Sequence, residues 1–398
     1  MAEIPSRERP TGVETRRIRM RLRVIIVGAL LLGACGGDDV TSSTTTTPPI
    51  TEPPTTTSSA PMEMPTTTLP DISVDWKAFD FIIASETVGQ GSDDVQVAVV
   101  RDGRILHRST MSSPTSLAKV TDSSRFRIAS ISKLVTAYAV MRLVEDGRIG
   151  LDDTPLKEAA GRLGTTLADP RMESITVQQL LSHTSGIGSS SDLFFDSPGT
   201  TADDALRTVL STPLASDPGR TFEYSNANFV LLGRLIGWRT GQSWDGATRT
   251  LVLDPLGFHD WIVGTTNGHE DGDAQHRSKE GRNYMELLEA SGAWLASASD
   301  VALLVDALSR DELFHTPAPA NLMRTPSSAG PDDGNWEYGL GVRIFANGSW
   351  GHSGTLEAAH DMVVKLNDGT VVAVFVNGEK PSDTDSLLDL ILRAMAGH

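Results

Sequence analysis

The chain has 398 residues, 39% of them apolar, and a formal net charge of −17; that is enough to bury one large core or two ordinary ones. The acidic balance excludes a sequence-independent affinity for nucleic acid, which needs a basic footprint. Its one cysteine, Cys35, excludes an intramolecular disulfide and a cysteine-built zinc cage.

The first element in chain order is a leader. In "MRLRVIIVGALLLGAC" two arginines, Arg21 and Arg23, precede an apolar run from Val24 to Leu32. Nine residues are too few to span a bilayer and suit a secretory core. Leu32-Gly33-Ala34-Cys35 resembles a bacterial lipobox, which implies cleavage before Cys35 and a lipid on it. Met20 makes a more ordinary start for such a leader than Met1, and Arg16-Arg17 lacks the hydrophobic residues of a twin-arginine signal.

Residues 1–34 carry seven arginines and three glutamates, so their loss takes the charge from −17 to −21. From Thr41 to Pro70, 23 of 30 residues are Thr, Ser or Pro. Such a stretch buries too little to fold and reads as an extended tether, reaching on the order of 90 Å at about 3.1 Å per residue. The expected organisation is a lipoprotein signal peptide over 1–34, lipidated Cys35 and tether over 35–70, and a folded domain over 71–398. The expected location is extracytoplasmic, lipid-anchored to a bacterial cell membrane.

The folded part begins with "VQVAVVRDGRILHRST", which alternates on both sides of Asp102-Gly103 and predicts a hairpin. After Ser130, apolar residues fall at Ile131, Leu134, Val135, Tyr138, Met141 and Val144, a helical spacing that stops at Asp146-Gly147. The stretch to about residue 315 reads mostly helical. "HDMVVKL" and "TVVAVFVNG" flank Asn367-Asp368-Gly369 as a second hairpin, and "DTDSLLDLILRAMAG" reads as a closing helix. Strands at both ends and helices between them predict an α+β fold: one antiparallel sheet made from both chain ends, flanked by helices, with an inserted helical subdomain.

The chemistry centres on "FRIASISKLVTAY". Ser130 and Lys133 stand at i and i+3 on the first turn of a well-marked helix, where Cβ atoms are about 5–6 Å apart. A serine needs a base before it is a nucleophile, and a lysine serves as one when burial or cations lower its pKa from about 10.4. The helix N-terminus offers N–H groups to an oxyanion. A second Ser-Lys pair, Ser116 and Lys119, follows Pro114 in a loop with no apolar period behind it. The bland reading of Ser130 is a helix cap beside a surface lysine.

Two further motifs weigh against that. Tyr224-Ser225-Asn226 precedes an apolar helical run, the only Tyr-x-Asn among four tyrosines, and His352-Ser353-Gly354 precedes the second hairpin. Together, in this order, the three resemble the serine β-lactamase and penicillin-binding-protein superfamily, in its class C β-lactamase-related branch of serine hydrolases. "LLSHTSGI", "DPLGFHD" and "ASGAWLASASDVALL" add to the resemblance, which covers about residues 75–396.

The resemblance implies that Ser130 is acylated and that Lys133 and Tyr224 share the general-base and general-acid work, in an order the sequence leaves open. It implies that Asn226 hydrogen-bonds substrate and that His352, Ser353 and Gly354 line a substrate-facing strand. The N–H of Thr355 would join that of Ser130 in an oxyanion hole. The implied substrate is a small-molecule or peptidyl amide or ester, cleaved in the manner of a D-Ala-D-Ala carboxypeptidase or an esterase, with no metal or organic cofactor. A β-lactamase proper, and a non-catalytic lipoprotein that binds penicillin or wall peptides, are the readings kept beside it.

The chain departs from the family at two points. His352-Ser353-Gly354 replaces the usual Lys-Thr-Gly, and a neutral imidazole holds a carboxylate less firmly than an ammonium. Glu357 near the site is expected to repel anions. "HEDGDAQH" reads as a solvated loop, His183 as a satisfied structural histidine, and "KEG" at 279–281 as an imitation of the third motif with no strand beside it.

Overall fold

A computed structural model describes residues 73–397, apart from positions 190, 196, 198, 280, 332–334 and 382. The leader, Cys35 and the tether lie outside the described residues.

The Asp102-Gly103 turn, with φ of 49° and 72°, joins β1 (Asp94–Arg101) to β2 (Arg104–Ser112). Positive φ at both central residues matches the twist of the flanking strands. The C-terminal half supplies β6 (Trp336–Tyr338), β7 (Arg343–Phe345), β8 (Trp350–Leu356), β9 (Ala359–Lys365) and β10 (Val371–Asn377). All seven join one antiparallel sheet in the order β2-β1-β10-β9-β8-β7-β6. The two chain ends meet where β1 pairs with β10, as the sequence predicts.

Among the described helices, five have 11 residues or more: α1 (Trp76–Glu86), α2 (Ile131–Glu145), α3 (Asn226–Thr240), α4 (Ala298–Ser309) and α5 (Thr384–Ala396). Because side chains alternate across a strand, Val372, Val374 and Val376 meet Phe79 and Ile83 of α1 and Leu387 and Ile391 of α5 on one face. Val371, Ala373 and Phe375 join the larger core containing α2, α3 and α4 on the other. Each such valine, leucine, isoleucine or phenylalanine, fully buried, is worth about 1.5–3 kcal/mol.

The inserted region is not all helix. β3 (Phe126–Arg127), β4 (Ile262–Val263) and β5 (Trp294–Ala296) form a second antiparallel sheet in the order β3-β5-β4. The loop at 269–276 is also less solvated than its composition suggests. Asp273 is buried against Arg125 at 2.6 Å, and half-buried His276 accepts from the Arg127 N–H at 3.3 Å. The two contacts pin the loop to β3 and to the residue just before it.

Helix α2 is apolar on nearly every side and runs through the middle of the core, as expected of a helix without a solvent face. Two of its buried hydroxyls are bonded: Thr136 Oγ1 donates to the Ala290 carbonyl at 2.7 Å, and Ser132 Oγ accepts from Trp294 N at 3.3 Å; the buried Tyr138 hydroxyl has no hydrogen-bond partner among the described residues.

Candidate active site

A tight turn joins β3 to α2, with Ile131 N donating to the Ile128 carbonyl at 3.1 Å. Ala129 takes φ of 47°, a strained value for a residue with a side chain, and Ser130 follows at the helix N-terminus. Ser130 makes no side-chain capping bond. Its Oγ is 2.9 Å from Lys133 Nζ, and it interacts with the Tyr224 hydroxyl strongly enough to oppose the effect of that group's burial. The rival pair is separated: Ser116 Oγ is bonded to Asp94 Oδ1 and the Ala118 carbonyl, each at 2.7 Å, and Lys119 is exposed.

Lys133 has no exposed surface. Besides Ser130, Nζ meets Asn226 Oδ1 at 2.8 Å and the Ser291 carbonyl at 2.8 Å. Burial drives its pKa well below the usual lysine value, since a low-dielectric interior disfavours the charged form. A neutral amine has two N–H bonds and one lone pair. Asn226 Oδ1 and a main-chain carbonyl can only accept, so they take the two N–H bonds, and the lone pair faces the Ser130 hydroxyl.

Tyr224 has the opposite tendency. Burial raises its pKa, against the lowering effect of nearby Ser130, so it is a phenol at neutral pH. Lys133 Nζ lies 4.9 Å from the centre of its ring. Asn226 is the first residue of α3, and with Oδ1 committed to Lys133 it has only N–H donors to offer a substrate.

Strand β8 forms the other wall. Phe345 N donates to the Ser349 carbonyl at 2.9 Å, and β7 pairs with β8 only as far as Gly351. Bonded pairs recur every second residue in an antiparallel ladder, so Ser353 and Thr355 turn their backbone groups to the same side, beyond the end of β7. Gly354 lies between them against the turn before α2: a Cβ there would be 2.5 Å from the Ile128 carbonyl and 3.0 Å from Ala129 Cβ. We expect Gly354→Ala to force β8 away from Ser130, lowering stability by about 1–3 kcal/mol and slowing acylation of Ser130. A denaturant midpoint and a labelling rate check the two effects separately.

His352 is buried and does not act as a cation. Nε2 accepts from Tyr338 OH at 2.9 Å, and Nδ1 donates to the Ser353 carbonyl at 2.7 Å. Burial lowers its pKa to about 3. The cation of this wall is Arg343, which sequence reasoning missed. Its Nη1 donates to Ser353 Oγ at 2.6 Å, and its guanidinium stacks 3.8 Å from the Trp336 ring centre.

Ser130, Tyr224, Asn226, His352, Ser353, Thr355 and Arg343 line one cavity of about 330 Å³, with Phe195, Phe222 and Trp336 as its apolar walls. Glu357 lies outside that lining. Its carboxylate accepts from Lys279 N at 3.0 Å and pairs with Lys279 Nζ at 3.4 Å, so the expected repulsion of anions from the cleft is offset.

His183 is half satisfied. Its Nδ1 accepts from Ser225 N and faces Asn228 Nδ2, both at 3.2 Å, while buried Nε2 has no hydrogen-bond partner among the described residues. Its ring packs 4.2 Å from that of Tyr224. It supports the tyrosine from behind.

The sequence profile of the Beta-lactamase family matches residues 82–396. The chain belongs to that family. Among curated proteins it is 33% identical to esterase EstB of Burkholderia gladioli over 177 residues, covering 41% of this chain and 45% of the esterase. It is 35% identical to penicillin-binding protein 4 of Amycolatopsis lactamdurans over 160 residues, 39% of each chain. It thus spans less than half the length of the curated relatives it matches.

Among solved structures, a D-stereospecific amidohydrolase from Streptomyces sp. superposes with a TM-score of 0.66 at 25% identity, covering 82% of this chain and 98% of that one. The octameric penicillin-binding protein homologue of Pyrococcus abyssi gives 0.70 at 24% identity, over 81% and 77%. The fold is therefore that of the β-lactamase and transpeptidase-like hydrolases.

Proposed function

We propose that this member of the family is an acyl-serine hydrolase acting on an amide or ester that carries a carboxylate. The observation that supports it most is the hydrogen bonding of Lys133, which leaves a neutral amine no arrangement except one with its lone pair on Ser130. Ser130 Oγ attacks the acyl carbon as its proton passes to Nζ, and the N–H groups of Ser130 and Thr355 receive the oxyanion. Tyr224, held as a phenol, protonates the leaving group and regains a proton from Lys133. Water then cleaves the acyl-enzyme and Ser130 is restored.

Arg343, which also pairs with Asp385 at 3.7 Å, would hold the carboxylate in addition, and the aromatic walls an apolar group beside it. The esterase, penicillin-binding protein and amidohydrolase among the similar proteins all fit this reading, as does a D-Ala-D-Ala carboxypeptidase-like or esterase-like reaction. Arg343 also supplies what His352 lacks for a penicillin carboxylate, which keeps β-lactamase activity as the second reading. Secretion and a lipid on Cys35 are part of the proposal, on the basis of the leader and lipobox-like residues.

Intact mass of the detergent-solubilised chain, incubated with a penicillin and separately with a fluorophosphonate, tests the reading. Both adducts are expected on Ser130 and absent from Ser130→Ala. Labelling by the fluorophosphonate alone would sustain the nucleophile and remove the β-lactam reading. No adduct with either would leave only a binding protein.

A further inference from the structure

The third partner of Lys133 is a main-chain carbonyl, and something must hold it. A short helix, Tyr284–Leu288, ends at Glu289, whose φ of 40° and ψ of −122° are unfavourable for any residue with a side chain. The tight turn Glu289–Ser291 follows. A glycine would adopt that backbone without strain, yet the chain keeps a glutamate there. Its carboxylate is occupied: Arg234 Nη2 donates to Oε1 at 3.0 Å and Nη1 to Oε2, while Arg234 Nε holds Asp203 at 2.8 Å.

Arg234 and its neighbour Gly233 belong to α3. A Cβ on Gly233 would lie 2.5 Å from Ala290 Cβ, so the helix meets the turn at a distance only glycine allows. The turn then presents consecutive carbonyls to α2, Ala290 to Thr136 Oγ1 and Ser291 to Lys133 Nζ. Asn226, which takes the other N–H of Lys133, is also on α3. Both acceptors of the amine are therefore referenced to a single helix.

We propose that Glu289, clamped by Arg234, is a positioning residue that fixes the Ser291 carbonyl beneath Lys133 and so keeps the amine lone pair on Ser130. The inference rests on the acyl-enzyme reading. It acts on the chemical step alone, because neither side chain lines the cleft.

The test compares wild type with Glu289→Gln and Glu289→Gly, as full chains shown to be folded by circular dichroism at the assay temperature. Acylation of Ser130 by a fluorophosphonate is followed against reagent concentration. The limiting rate is expected to fall about 10-fold in both variants, with the half-saturating concentration unchanged. Arg234→Gln is expected to do the same, and its combination with Glu289→Gln to add little, as for one coupled unit. Wild-type limiting rates in both folded Glu289 variants, or a loss confined to half-saturation, would overturn the inference alone. Failure of wild type itself to label would overturn the acyl-enzyme reading, and this inference with it.

Discussion

Exchange of Lys133 for methionine is expected to slow acylation of Ser130 by about 10²–10⁴-fold, the range spanned by a positioned general base. Methionine fills much the same volume but offers no basic lone pair, and the nearby Tyr224 is held as a phenol. The wild-type rate should rise with pH as Lys133 loses its proton and level off below the pH at which an ordinary lysine titrates. Stability carries the same signature. Folded Lys133 has a depressed pKa, so between that pKa and the unfolded value of about 10.4 the unfolded chain binds the extra proton, and folding becomes more favourable as pH rises. Lys133→Met lacks this slope, so urea midpoints of wild type should gain on those of the variant across that window. A flat wild-type pH profile, or a loss under tenfold, would count against Lys133 as the base.

The parts of this molecule that were legible beforehand are those whose signal is local. Asp102-Gly103 specifies a hairpin turn by φ alone, and Ser130 and Lys133 share a face because of helical spacing. The valine-rich strands on either side of Asn367-Asp368-Gly369 announce themselves by composition. The three short strands of the second sheet, two or three residues each, are too brief to establish an alternation. They exist only because Leu295 finds Arg127 on one side and Ile262 on the other.

The unread parts of the site have a common cause as well. Ser291 contributes a main-chain carbonyl, which every residue type possesses, so its identity carries no information about its role. Arg343 reaches Ser353 through strand register: its Cα partner is Gly351, and only that pairing brings its guanidinium to the wall of the cleft. Reading His352 as a weaker lysine missed that its ring is held by Tyr338, fourteen residues earlier, and by its own neighbour's carbonyl. Asp273 and His276 looked solvated because their partners, Arg125 and Arg127, lie about 150 residues away in sequence.

That arrangement sets the second large effect. Arg343→Ala is expected to raise KM about 10- to 100-fold for an ester bearing a carboxylate, the cost of losing a charge-assisted hydrogen bond of about 1.5–3 kcal/mol. The same ester with its carboxylate capped as an amide should be nearly indifferent to the change. His352 cannot take over, since a proton on its ring would break the bond from Tyr338 and its pKa is held near 3. Lysine at position 343 should recover only part of the loss, because an ammonium cannot both lie flat on Trp336 and present parallel N–H donors to Ser353 and a carboxylate. Michaelis constants for the two esters, measured for wild type, Arg343→Ala and Arg343→Lys, separate charge recognition from damage to the cleft. A parallel loss on both esters would mean that Arg343 acts by bracing Trp336 and Ser353, and that the carboxylate has no place in the substrate.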